Sequence, residues 1–278
     1  MIVDGHAHCC GEFSTGEKII RYLDENKIDK VVLCAGELGN SKSYSYPMVS
    51  DIIRDEDLGY IFNKIICMVA KMSNLIKTLD DANKYVYDIA KKSNGRIINV
   101  YWANPLEANC LEKINDFYVK YNFKMLKLHQ CWTKFSMEEK SVENIINWAE
   151  DKKMPIFVHL ISREEVKNFI KVCNKYKNVT FIVAHMIGFS EIARNSKNNN
   201  IYFDLSSPEM YPLKTLEKAL RMLGSEKLII GSDTPFGKDN IKKNINRLEK
   251  LALSKDEINN ITGDNICKIL KMQKLLKK

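Results

Sequence analysis

The chain has 278 residues, 45% hydrophobic and 28% charged, with 43 basic against 35 acidic residues and a formal net charge of +8. Its apolar runs are strand-sized, short of the ~20 residues a membrane helix needs, and its eight cysteines show no paired spacing, which excludes a disulfide scaffold and predicts free thiols in a reducing cytoplasm. The excess charge is lysine spread along amphipathic helices and peaking in the tail KMQKLLKK, which reads as a solvated surface and not as a nucleic-acid face.

Strand and helix signals alternate from the first residues. No export signal is expected ahead of the first strand, which opens at Ile2. Strands are predicted over 2–8, 30–35, 97–103, 123–129, 154–160, 179–185, 201–206 and 227–233. Most are continuous Ile/Val/Phe/Leu runs, as parallel strands buried on both faces require. Helices are predicted near 16–26, 74–93, 107–121, 138–152, 163–176, 189–197 and 212–224. Residues 36–73 form an enlarged loop after strand two, with a helix-like DIIRDEDLGYIFNKI, expected to overhang the mouth as a lid or specificity element. Closing helices are predicted over 254–261 and 263–277, with an exposed tail beyond about 272. Eight strand–helix units in one domain, 1–278, predict an α/β fold, a single (β/α)8 TIM barrel; an open doubly wound sheet would want a glycine-rich phosphate loop after strand one, and there is none.

All five histidines, His6, His8, His129, His159 and His185, fall where a strand-like run gives way to a loop, and KLIIGSDTP ends the same way on Asp233. Strand ends of one barrel converge at its C-terminal mouth, so five imidazoles and a carboxylate point to one divalent-metal site, Zn²⁺ above all. His6 and His8, spaced i, i+2, face the same side, with Asp4 one pair deeper. Gly231 and Ser232 mark a tight approach that leaves room for metal or substrate. A carboxylate at 233 would ligate the ion and take the proton of a bound water, whose pKa zinc lowers to about 7. That chemistry is hydrolysis, or any reaction needing a Lewis acid.

Taken together, DGHAH, LKLHQ, AHMIG, GSDTPFG and TGDNICKIL resemble the amidohydrolase superfamily, and within it the amidohydrolase-related (aminocarboxymuconate-semialdehyde decarboxylase-like) branch of TIM-barrel metal-dependent hydrolases. The resemblance runs from residue 2 to about 270. It implies that His6, His8 and Asp233 hold the more buried metal and that His159 is a ligand with one Zn²⁺ or two. His185 is implied as a second-metal ligand or as the base, so that Asp233 and His185 are the catalytic pair. At strand four it offers Lys127, as a carboxylated bridging lysine or a lysine beneath the site, and His129, touching metal or substrate. Asn265 is expected to pack against the barrel end.

Around this set, Trp132 and Phe236 are candidate pocket walls, and Arg163 either clamps a substrate carboxylate or pairs with Glu164 and Glu165. Tyr44, Tyr46, Arg54 and Glu12 are further candidates, and Cys9 is either a soft ligand or a small buried residue. The leading expectation is hydrolysis of an amide, lactone or ester of a small molecule by metal-bound hydroxide. The alternative is a metal-dependent non-oxidative decarboxylase of a small unsaturated or aromatic acid, and a third is a binding protein on a dead scaffold, which the intact ligand set disfavours. Expected partners are a small-molecule substrate but no nucleic acid and no membrane, and the resemblance leaves room for a homodimer.

Overall fold

A computed structural model describes residues 1–237 and 239–272. Nine parallel strand segments lie in chain order: β1 Val3–Cys9, β2 Lys30–Ala35, β3 Ile97–Asn99, β4 Tyr101–Trp102, β5 Leu126–His129, β6 Ile156–His159, β7 Phe181–Val183, β8 Ile201–Asp204 and β9 Leu228–Ile229. β3 and β4 are one barrel strand interrupted at Val100, whose amide bonds across to Leu33 O at 3.0 Å. The barrel is closed by main-chain bonds between β1 and the run after β9: Gly5 N to Ile230 O (2.9 Å), Asp233 N to His6 O (2.8 Å) and His8 N to Thr234 O (2.7 Å). Gly5 makes this seam possible, because a Cβ there would meet Ile229 Cγ2 at 2.5 Å and Ile230 O at 2.7 Å.

The helices are α1 Gly16–Glu25, α2 Leu58–Met72, α3 Leu79–Lys91, α4 Cys110–Tyr121, α5 Lys140–Lys152, α6 Arg163–Lys175, α7 Phe189–Asn195, α8 Leu213–Leu223, α9 Asn240–Glu249, α10 Lys255–Asn259 and α11 Asn265–Ile269. Side-chain caps start several of them: Thr15 accepts from Lys18 N, Ser162 from Glu165 N, and Ser254 forms a capping box with Glu257. Inward-facing Val3, Val32, Val100, Met125, Phe157, Ile182 and Ile229 fill the barrel floor, and Ile266, Cys267 and Leu270 plug it from below. Asn265 donates to Ser225 O and Leu228 O, both at 2.8 Å, which fastens α11 to the barrel end as expected. No helix among the described residues is long and apolar enough to cross a membrane.

Three local expectations change. The insertion carries its helix at Leu58–Met72, later than the helix-like stretch, after a 3-10 turn at Val49–Asp51. α9 was not expected, and the two closing helices run into one another through a π turn at Asn260–Asp264. The last helix ends at Ile269; its expected continuation to 277 and the exposed tail fall largely on 273–278, outside the described residues.

Candidate metal centre

The inward face of β1 brings His6 and His8 to the mouth, where both Nε2 atoms approach Asp233 Oδ1, at 3.2 and 3.4 Å. His185 Nε2 approaches the other oxygen, Oδ2, at 3.9 Å. His6, His185 and Asp233 offer donor atoms within 4.8 Å of one another. Asp233 and His185 both have left-handed backbone (φ +60° and +53°), as do Met186 and Ser207. Such conformations cost energy in non-glycine residues and persist only where surroundings impose them. Here the Asp233 amide is bonded to His6 O, and Ser207 Oγ donates to Asp233 Oδ2 at 2.9 Å.

The outer nitrogen of three imidazoles is occupied, and this decides what the inner nitrogen presents. His8 Nδ1 lies 2.9 Å from Ala35 O, so it donates there and Nε2 faces Asp233 with a lone pair when the ring is neutral. His185 Nδ1 lies 3.2 Å from Ser206 O and 2.9 Å from Ser206 Oγ, which itself donates to Asp204 Oδ2. His159 Nε2 contacts Asn63 Oδ1 at 2.7 Å, an acceptor, which leaves Nδ1 unprotonated, and that Nδ1 is buried with no partner. Lone pairs turned toward a buried carboxylate repel it unless a cation sits between them. A divalent ion fits this donor set, and a ligand histidine bonded outward to a carbonyl or amide oxygen is how proteins fix the binding tautomer.

Titration follows the same arrangement. Burial, and then the Lys127 charge, push His6 well below its ordinary value, and burial does the same to His129 and His159, so all three are neutral ligand-ready rings. Burial also opposes charge on His8, but the Cys34 thiol and Asp233 outweigh it and lift His8 to about 10. That proton holds a cation's place beside Asp233 and would be released on metal binding. Burial pushes the Asp233 carboxyl up, yet His185, His6 and His8 outweigh it and keep the group well below the usual carboxylate range.

The other strand-end candidates take supporting positions. Lys127 is fully buried, with Nζ 3.1 Å from His6 Nε2 and 4.1 Å from the Phe157 ring centre, and burial lowers its pKa. His129 stacks on His159 (centroids 4.0 Å, 11°) with Trp102 parallel on it at 5.3 Å. His129 thus buttresses His159, and with Cys131 the two also offer donor atoms within 4.8 Å of one another, as expected of a residue touching metal or substrate. Asp4 accepts from Ser232 N (2.9 Å) and His6 N (3.2 Å), and burial lifts it to about 7. Gly231 is tight for a different reason than expected: a Cβ would lie 2.7 Å from Asp204 Oδ1 and 3.2 Å from His6 Cβ, so the room is for protein atoms.

Above the histidines lies a cavity of about 230 Å³, lined by His8, His129, His159, His185 and Asp233 below and by Tyr44, Tyr46, Trp132 and Phe236 around. α2 closes it with Phe62, Ile65, Ile66 and Val69, so the long insertion does overhang the mouth. Arg163 lies outside: its side chain is 66% exposed and pairs with Asp57, not with the helix acids. Arg54 is exposed and Glu12 also stands away from the cavity wall. Cys9 joins no donor cluster among the described residues; Cys34 is the thiol beside His8. Asn63, Asp204, Ser206, Ser207 and Glu209 escaped the sequence reading. For the last four the signal was present, a polar DLSSPE run closing a predicted strand, whereas nothing marks Asn63.

A parallel barrel with this histidine–aspartate mouth is a TIM-barrel metal-dependent hydrolase. More particularly, the chain belongs to the family described as TatD related DNase, whose model matches residues 3–273. The motifs had singled out the superfamily without singling out this family. No curated protein sequence matches the chain. Similar solved structures include a probable 2-pyrone-4,6-dicarboxylic acid hydrolase from Acinetobacter baumannii with citric acid bound (TM-score 0.67, 11% identity, covering 97% of this chain and 99% of that one). A 5-carboxyvanillate decarboxylase from Sphingomonas paucimobilis is also similar (0.65, 11%, 98% and 99%). So is an amidohydrolase from Burkholderia multivorans with bound zinc (0.67, 11%, 98% and 100%). At these identities the likeness is one of fold.

Proposed function

We propose that the protein hydrolyses an amide, ester or lactone bond of a small, largely apolar molecule, with zinc as the metal. The carrying observation is that imidazoles and the Asp233 carboxylate converge beneath a cavity whose described lining contains no lysine or arginine. His6, His8, His159 and Asp233 would hold the ion, joined by His185 where two ions bind; this nitrogen-and-carboxylate set suits Zn²⁺. When bound, the ion supplies Lewis acidity toward water and carbonyl. Asp233 Oδ2, steadied by Ser207 Oγ, takes the proton of the attacking water. His185 Nε2, left with a lone pair because Nδ1 donates to Ser206, would take that proton over from Asp233 Oδ2, 3.9 Å away, and deliver it to the leaving group. The aromatic and aliphatic walls exclude bulk water and seat an apolar substrate.

The decarboxylase reading is weaker. An aromatic acid or a phosphodiester would enter without a lysine or arginine among the described lining residues to receive it, its charge left to the metal and the histidines, and a duplex does not fit so small a cavity. The reading is tested by elemental analysis of protein purified without chelator, followed by parallel assays of neutral aryl esters, lactones and anilides, of bis(4-nitrophenyl) phosphate, and of dihydroxybenzoates. Zinc in one or two equivalents with turnover of neutral substrates is expected. Turnover confined to the phosphodiester or the acids would overturn it.

A further inference from the structure

One buried carboxylate in the cavity wall has no part in the chemistry above. Glu209, in the turn after β8, is 2% exposed and lines the cavity, and its Oε2 is buried without a hydrogen-bond partner. The turn is anchored. Pro208 O accepts from Ser50 Oγ (2.8 Å) and Arg247 Nη1 (2.9 Å), Tyr211 O accepts from Arg247 Nη2 (2.9 Å), and Tyr211 OH donates to Leu205 O (2.8 Å). Arg247 thus gives its Nη donors to main-chain carbonyls, and Asn240 bonds the Glu209 carboxylate without reaching Oε2. Lys243, a cation that acts on Glu209, donates to Tyr46 O (2.9 Å) and Asn240 Oδ1 (3.4 Å). A buried carboxylate oxygen without a donor is costly unless an occupant supplies one.

The adjoining wall favours the same kind of occupant. The Tyr44 ring lies parallel to Phe236 (centroids 6.0 Å, 5°) and to Tyr46 (6.2 Å, 8°), and all three line the cavity. Aromatic faces attract cations. We propose that Glu209 is a specificity-determining residue that binds a protonated amine, so that the molecule hydrolysed is apolar and carries an ammonium group apart from its scissile carbonyl. This rests on the hydrolase reading for the place of the scissile bond, but its test is a binding measurement that needs no turnover.

The metal-loaded protein is titrated with 2-phenylethylammonium and with 2-phenylethanol at about pH 8, above the value of about 7 to which burial lifts Glu209, with heat of binding as readout. The ammonium should bind roughly tenfold tighter or more, as expected of a charge-assisted hydrogen bond out of water. Glu209→Gln should erase that preference and keep alcohol affinity within about twofold. Equal affinities in the wild type overturn the proposal. So does a preference that survives Glu209→Gln, because an amine drawn to the metal instead would be indifferent to this substitution. The wild-type comparison stands even if the variant does not fold. Ammonium preference without hydrolysis of any ester, lactone or amide would support this proposal while sinking the hydrolase reading alone.

Discussion

Asn63 is the most informative single residue to remove, because it joins the insertion helix to His159, a ligand in the metal site proposed above. Its Oδ1 takes the His159 Nε2 proton at 2.7 Å, and its Nδ2 donates to Leu160 O and Ile161 O, both at 2.9 Å. At a net 0.5–1.5 kcal/mol for each buried bond, Asn63→Ala should cost about 2–4 kcal/mol. For a chain of this size that is a fall in Tm of roughly 5–10 °C. Without the acceptor, the lone pair at His159 Nδ1 is no longer fixed, and zinc affinity should fall about 10- to 100-fold. Asn83 supplies the control: equally buried, on α3, it bonds Trp102 O and Trp102 N at 2.9 Å and no imidazole. Asn83→Ala should therefore lose comparable stability while its zinc affinity changes much less. Thermal melts with and without chelator, and competition titrations with a chromogenic zinc chelator, measure both quantities. If the two variants lost stability alike and bound zinc equally well, the tautomer argument for His159 would be wrong.

Asp233→Asn removes the charge that three imidazoles face and should lower kcat by at least about 10²-fold; near-normal turnover at saturating zinc would exclude Asp233 from proton transfer. Gly231→Ala drives a Cβ to 2.7 Å from Asp204 Oδ1 and should cost about 1–3 kcal/mol with loss of bound metal, read by melting and elemental analysis; a stable, metal-replete variant would refute the tight approach. Burial raises the Glu209 carboxyl from 4.5 to about 7, so the folded chain keeps a proton that the unfolded chain releases. That contribution is complete below about pH 4.5 and is lost as pH rises through about 7. The stability of Glu209→Gln relative to the parent, both chelated, should therefore rise from pH 5 to pH 8 in denaturant titrations, and a flat difference would contradict it.

Much of this was legible because barrel strands end at one place. The i, i+2 pair His6 and His8 on β1, His159 closing β6, His185 two residues past β7 and Asp233 in the run after β9 needed only strand-like runs and periodicity, although β7 and β9 end earlier than the sequence predicts. α9 was illegible for a physical reason. The face it buries is largely polar, with Asn240, Asn244 and Arg247 turned inward alongside Ile241 and Leu248. Asn244 donates to Leu205 O at 2.6 Å and Arg247 to the carbonyls of Pro208 and Tyr211, so the helix is held by hydrogen bonds where an apolar stripe would have announced it. Asn63 was hidden differently: its contact with His159 spans 96 positions and begins on a helix whose register the sequence set too early.

The division between legible and illegible matters for function. The residues that would hold metal lie on strand ends, fixed by barrel geometry, and they define a chemistry shared by hydrolases and decarboxylases alike. The residues that would choose a substrate line the cavity from the insertion and from the turn after β8: Tyr44, Tyr46, Phe62 and Ile66 on one side, Glu209 and Met210 on the other. They meet only because α9 ties the turn after β8 to the barrel while Ser50 ties the insertion to that turn through Pro208 O. A family description therefore carries the metal chemistry to this chain more securely than a substrate. A largely aromatic and aliphatic cavity with a buried acid whose Oε2 has no hydrogen-bond partner, and no lysine or arginine among its described lining, would receive a polyanion poorly except at the metal. On the function proposed above, the substrate would be decided by that wall, because the metal ligands beneath it would be compatible with more substrates than the wall admits.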